Sequence, residues 1–121
     1  MNNWKWLGHK QHFICADRCK FSLATLIPNG LLISTVGEFH SNPEKEMETI
    51  GAGYYYETFV FKTTKDKILP CGCPEISSYT PIDTHTYQKA KEAQDGHYEI
   101  CLKFENEDMD ELKDVMAGLS E

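Results

Sequence analysis

The stretch His97-Tyr98-Glu99-Ile100-Cys101-Leu102-Lys103-Phe104 decides how the rest of the chain is read, because two periods fit it. As a strand, Tyr98, Ile100, Leu102 and Phe104 alternate with His97, Glu99, Cys101 and Lys103. As a helix, His97, Ile100, Cys101 and Phe104 form one stripe that continues Ala90 and Ala93. The helix is preferred. Gln88 to Gln94 upstream consists of strong helix formers, and a lone Gly96 in a helix costs only about 1 kcal/mol. The choice has a chemical consequence. Helical residues four apart have Cβ atoms roughly 5–6 Å apart, so His97 and Cys101 can share an ion. In a strand they lie about 13 Å apart at ~3.3 Å per residue, and they cannot.

The other half of that ion site is Cys71-Gly72-Cys73-Pro74, two thiols one residue apart on a Gly/Pro loop. Cys71, Cys73, His97 and Cys101 together make a Cys3His set, the composition of a closed structural zinc centre. Such a site binds with an apparent free energy of about 10–16 kcal/mol, comparable to the stability of a small domain, so chelation is expected to unfold the protein. A second set is Cys15 and Cys19 with His9, His12 or His40, and whether those cysteines join the metal is open. Either cysteine can equally be a small buried hydrophobe.

Working outward, Phe21, Leu23, Thr25 and Ile27 alternate with Ser22, Ala24 and Leu26, as in a strand. Pro28-Asn29-Gly30 is a hairpin turn signal, and Leu31 to Val36 returns as the second strand, ended or bulged at Gly37. Ser41 to Thr49 reads as a loop or a short helix. Tyr54 to Lys62 is the clearest strand, with Tyr56, Thr58, Val60 and Lys62 on one face and Tyr55, Glu57, Phe59 and Phe61 on the other. Glu75 to Pro81 is irregular, with room for one short edge strand. Asp83 or Thr84 can cap a helix beginning near His85. At the end of the chain Met109, Leu112, Val115, Met116 and Leu119 share one arc opposite Asp110, Glu111 and Asp114, an acidic amphipathic helix within residues 105–121. The expected fold is α+β, a single domain over residues 1–121. It has an antiparallel sheet of three or four strands with one face hidden, one or two helices, and a zinc staple from the Cys71–Cys73 loop to the helix after Gly96.

Composition narrows the function classes. A hydrophobic content of 40% with 12% aromatics suits a packed domain and argues against wholesale disorder. No apolar run approaches the ~20 residues needed to span a bilayer. The stretch from Met1 to Cys15 has no apolar core or small-residue cleavage site. A soluble protein of a reducing compartment is expected, and five cysteines, an odd number, then favour thiols or metal ligands over disulfides. The net charge is −7, with seven acids against one lysine after Phe104. That balance disfavours direct nucleic-acid binding, which needs Lys and Arg to displace counterions. It suits docking onto a basic partner through Glu105, Glu107, Asp108, Asp110, Glu111 and Asp114.

No catalytic signature stands out. Cys15 with His12 and Asp17 has the composition of a thiol enzyme, and Glu38 with Glu57 on adjacent strands could do acid/base work. Tyr54, Tyr55 and Tyr56 with Arg18 could stack a nucleotide signal, although sheet packing accounts for the tyrosines as well. No phosphate-binding or dinucleotide fingerprint occurs.

The segments His12 to Phe21, Ser34 to His40, Tyr54 to Phe61, Cys71 to Ile76 and Gly96 to Cys101 resemble a set of small phage-encoded proteins of no assigned enzymatic activity. The resemblance covers about His12 to Phe104 and leaves out the acidic tail. It implies a viral accessory protein acting in the host cytoplasm. Some proteins of this class look like anti-CRISPR inhibitors, including metal-bound ones that occupy a Cas nuclease. The function expected from it is non-enzymatic inhibition of a host defence protein by blocking nucleic-acid loading. A small metallo- or thiol enzyme and a nucleotide-sequestering protein are the alternatives.

Overall fold

The computed structural model describes residues 4–7, 19–40, 42, 44, 46–50, 53–68, 74–77 and 81–106. Six strands and one helix run in the order β1 (Lys5–Trp6), β2 (Cys19–Leu26), β3 (Leu31–Phe39), β4 (Tyr56–Ile68), β5 (Pro74–Ile76), β6 (Asp83–Tyr87) and α1 (Ala90–Phe104). All pairings are antiparallel, in the order β1-β2-β3-β4-β5, with β6 on β4 along Tyr56 to Val60, the stretch that β3 flanks from the other edge. The sheet curls into a half-barrel, and α1 packs on β2, β3, β4 and β6. The α+β class stands, but in place of the expected three or four strands the described residues form six.

The β2–β3 hairpin forms where its turn chemistry places it. Pro28 presets the first turn residue, and Gly30 takes φ +94, a conformation with no penalty for glycine. Asn29 serves two elements at once. Its Oδ1 accepts from the Leu31 amide at 3.1 Å, and its Nδ2 donates to the Phe104 carbonyl at 2.7 Å. The second bond satisfies one of the carbonyls that a helix end leaves without a partner. At the other end of α1 the Glu92 carboxylate accepts from the Lys89 amide at 3.1 Å, half of a capping box.

The segment His97 to Phe104 is helical, and α1 runs through Gly96 without a break. Gly96 is required there, since a Cβ would strike the hydroxyl and ring of Tyr87. The helix does not begin near His85. Asp83 to Tyr87 instead pairs with Tyr56 to Val60 as β6. Its threonines and tyrosine suit a pleated edge better than a first helical turn, and five residues of pairing outweigh an Asp83 cap.

The core lies between sheet and helix, where Ile27, Leu31, Ile33, Val60, Ile82, Ile100, Cys101 and Phe104 pack together. A sheet with one hidden face was expected, and along β3 both faces are closed. Leu31 to Gly37 is buried without interruption, and on the face away from α1 Leu32, Ser34, Val36 and Phe61 are at most 1% exposed. Strands closed on both faces read as continuous apolar runs.

Candidate functional site

Three threonines set the polar centre of the sheet. Thr35 of β3 lies directly opposite Thr58 of β4, and Thr25 of β2 lies diagonally from Thr35, its own partner being Ile33. All three project toward α1, and all are fully buried. Diagonal neighbours on one face are about 7–8 Å apart, too far for one hydroxyl to reach another. The imidazole of His97 fills that gap. Its Nε2 lies 2.8 Å from Thr25 Oγ1, and its Nδ1 lies 2.6 Å from Thr35 Oγ1.

The chain of bonds continues at both ends. Thr35 and Thr58 hydroxyls are 2.6 Å apart, Thr58 bonds the Tyr87 hydroxyl, and Thr25 also bonds the Cys101 thiol. A neutral imidazole offers one donor and one acceptor, and hydroxyls serve as either, so the whole chain can be satisfied. Burial lowers the His97 pKa to about 4. Burial also pushes the Cys101 thiol up to about 12, against the Thr25 bond, which lowers it. Both groups are therefore uncharged near neutrality.

These positions bear on the expected zinc site. His97 and Cys101 do lie one helical turn apart on one buried face. In the geometry described both His97 nitrogens bond threonine hydroxyls and Thr25 bonds the Cys101 thiol, so a zinc ion there would have to displace those bonds. A zinc ion needs a free imidazole nitrogen and a thiolate. Cys71 and Cys73 lie outside the described residues, as do Cys15, His9 and His12. Among the described residues no group of three or more His, Cys, Asp or Glu side chains could hold a metal.

Cys19 departs from the expectation that the cysteines avoid disulfides. It is disulfide-bonded, while Cys101 is the free cysteine of the described set, so the other sulfur lies outside that set. Pairing depends on Cα atoms coming within about 7 Å in space, which an odd count along the sequence does not report. A sulfur held in a disulfide is no thiolate ligand, so Cys19 drops out of the second metal set.

The two carboxylates proposed for acid/base work are separated by the sheet. Glu38 has φ +55, unusual for a residue with a Cβ, and its Oε2 accepts from the Tyr56 hydroxyl at 2.9 Å. Burial, with the Glu38 bond and charge, raises Tyr56 to about 12. The Tyr56 ring fits because Gly37 opposite has no side chain. Glu57 faces the other way, 7% exposed, and burial raises its pKa to about 7. Of the tyrosine trio, Tyr56 is core rather than a stacking platform, and Tyr54 and Tyr55 are half-buried.

The outer surface holds a different cluster, which the sequence reading did not single out. Trp4, just before β1, and Trp6 within it are two residues apart. The Trp4 ring meets Tyr98 edge-on at 4.9 Å, and its Nε1 donates to Glu105 at 3.0 Å. Trp6 stacks on the His97 ring at 5.6 Å and is 53% exposed. Tyr98 and Leu102, one helical turn apart, are also largely exposed. Glu105, expected at a partner interface, is thus half-buried against Trp4. Glu107, Asp108, Asp110, Glu111 and Asp114 lie outside the described residues.

Among the described residues no helix is long and apolar enough to cross a membrane. No family model matches the chain, and neither a curated protein nor a solved structure matches it.

Proposed function

We propose that the chain is a non-enzymatic binding protein that docks on a basic partner, and that its action is inhibition by occupation. One observation carries this reading. Among the described residues His97 and Cys101 are sealed and uncharged inside the sheet–helix seam, while Trp6, Tyr98 and Leu102 stand outside it. Exposed aromatics of that kind dominate binding energy at protein interfaces. The chain carries −7, so a partner rich in Lys and Arg is favoured on approach.

The finer form of the proposal is the one the phage resemblance implies. The partner is then a host nuclease of Cas type met in the host cytoplasm, and the protein competes where guide or target nucleic acid loads. A cleavage assay tests it, with the protein added to the nuclease before its nucleic acid. Dose-dependent loss of cleavage, weaker in Trp6→Ala and at high salt, is the expected result. Undiminished cleavage at saturating protein refutes the inhibitor reading. The zinc staple of Cys71, Cys73, His97 and Cys101 is a separate proposal, and its Cys71 and Cys73 lie outside the described residues. Elemental analysis of the purified protein, repeated after chelator, checks it, and absence of stoichiometric zinc removes it.

A further inference from the structure

We infer that the seam between β1 and α1 is a seat for an arginine side chain of the partner, with the Trp6 indole as its floor. The inference rests on the binding role proposed above and names the chemistry of the group that fills the site. One face of the Trp6 ring lies on His97, with 29° between the planes, and about half of the residue is left to solvent. A planar guanidinium stacks on such a ring through both its charge and its flat, weakly hydrated surface, which an ammonium lacks. The walls are Trp4 and Tyr98, braced edge-on against each other. Behind them Glu105 holds the Trp4 indole by its Nε1–H and contributes negative charge at the rim.

Among the described residues the cations near the seat do not compete for it. Lys5 points away from it, because neighbours along a strand face opposite sides. Lys91 is tied to Asp95 at 3.1 Å, and Lys103 lies 3.5 Å from Asp83 and over the Phe104 ring. Along the stretch 90–106 four acids face two lysines, which leaves the helix side of the seat acidic.

The test uses oligoarginine and oligolysine peptides of equal length, labelled for anisotropy, with the full chain. Trp4 and Trp6 are the only tryptophans, so intrinsic emission reports on the seat in the same titration. The arginine peptide should bind about tenfold more tightly than the lysine peptide and perturb the emission. Trp6→Ala and Tyr98→Ala should each weaken the arginine peptide about tenfold, and Trp6→Phe less, while Met47→Ala on another exposed surface should leave it unchanged. Thermal melting of each variant separates a lost seat from a lost fold. Equal affinity for the two peptides, insensitive to Trp6 and Tyr98, overturns the seat and leaves the basic-partner reading standing. Failure of both peptides to bind removes that reading, and the seat with it.

Discussion

Two buried titratable groups on opposite faces of the sheet pull stability in opposite directions as pH changes. Burial lowers His97 from 6.5 to about 4 and raises Glu57 from 4.5 to about 7. At 1.36 kcal/mol for each pH unit of displacement, either group is worth about 3 kcal/mol. The fold prefers neutral His97, so that contribution is whole above pH 6.5 and is lost as pH falls toward 4. The fold also prefers protonated Glu57, whose contribution is whole below pH 4.5 and is lost as pH rises through 7. The two windows nearly coincide, and in the wild type the effects largely cancel. Single substitutions uncover them. Relative to wild type, Glu57→Gln should gain about 3 kcal/mol between pH 4.5 and 7.5. The deficit of His97→Gln should instead grow by about 3 kcal/mol over the same rise, on top of a constant loss from its threonine bonds. Urea denaturation at stepped pH, followed by tryptophan emission, measures both, and taking differences cancels the other carboxylates. Differences that do not vary with pH would refute the assignment of buried, neutral forms.

Three further outcomes follow from the packing. Gly96→Ala improves helix propensity by about 1 kcal/mol, yet its Cβ would collide with the Tyr87 hydroxyl and ring, so the variant should melt lower than wild type. Thr35→Val keeps the shape and removes the hydroxyl between His97 and Thr58; a loss of about 1–3 kcal/mol by urea titration is expected, and none would mean the chain of bonds contributes nothing. Cys101, buried and held protonated up to about 12, should resist alkylation in the native protein and react promptly once unfolded, as peptide mass mapping would show.

Much of the hairpin was legible because local rules agreed there. Alternation set the faces of Phe21 to Ile27 and Tyr56 to Lys62, and Pro28-Asn29-Gly30 set the turn. The helix at His97 was readable from its neighbours. The meaning of His97 was not, since its partners Thr25 and Thr35 are 72 and 62 residues away and threonine in a strand carries no signal of its own. Helix spacing alone suggested a shared ion, whereas the space between diagonal threonines gave the ring another use. Asp83 to Tyr87 was misread because a capping residue is a local signal and the second edge of β4, along Tyr56 to Val60, is a distant one. The exposed face of Trp6 was equally invisible, since exposure is a property of neighbours rather than of residue type.

Asn29 ties the timing of folding to geometry. The hairpin it closes draws on near neighbours and can form early, but the carbonyl it clasps belongs to Phe104, 75 residues on. The helix therefore has no terminal clamp until most of the sheet has been assembled, which makes its docking a late event of high sequence separation. Asn29→Asp keeps the acceptor that closes the turn and removes the donor that reaches the helix. Such a change should leave refolding nearly as fast as before and shorten the lifetime of the native state.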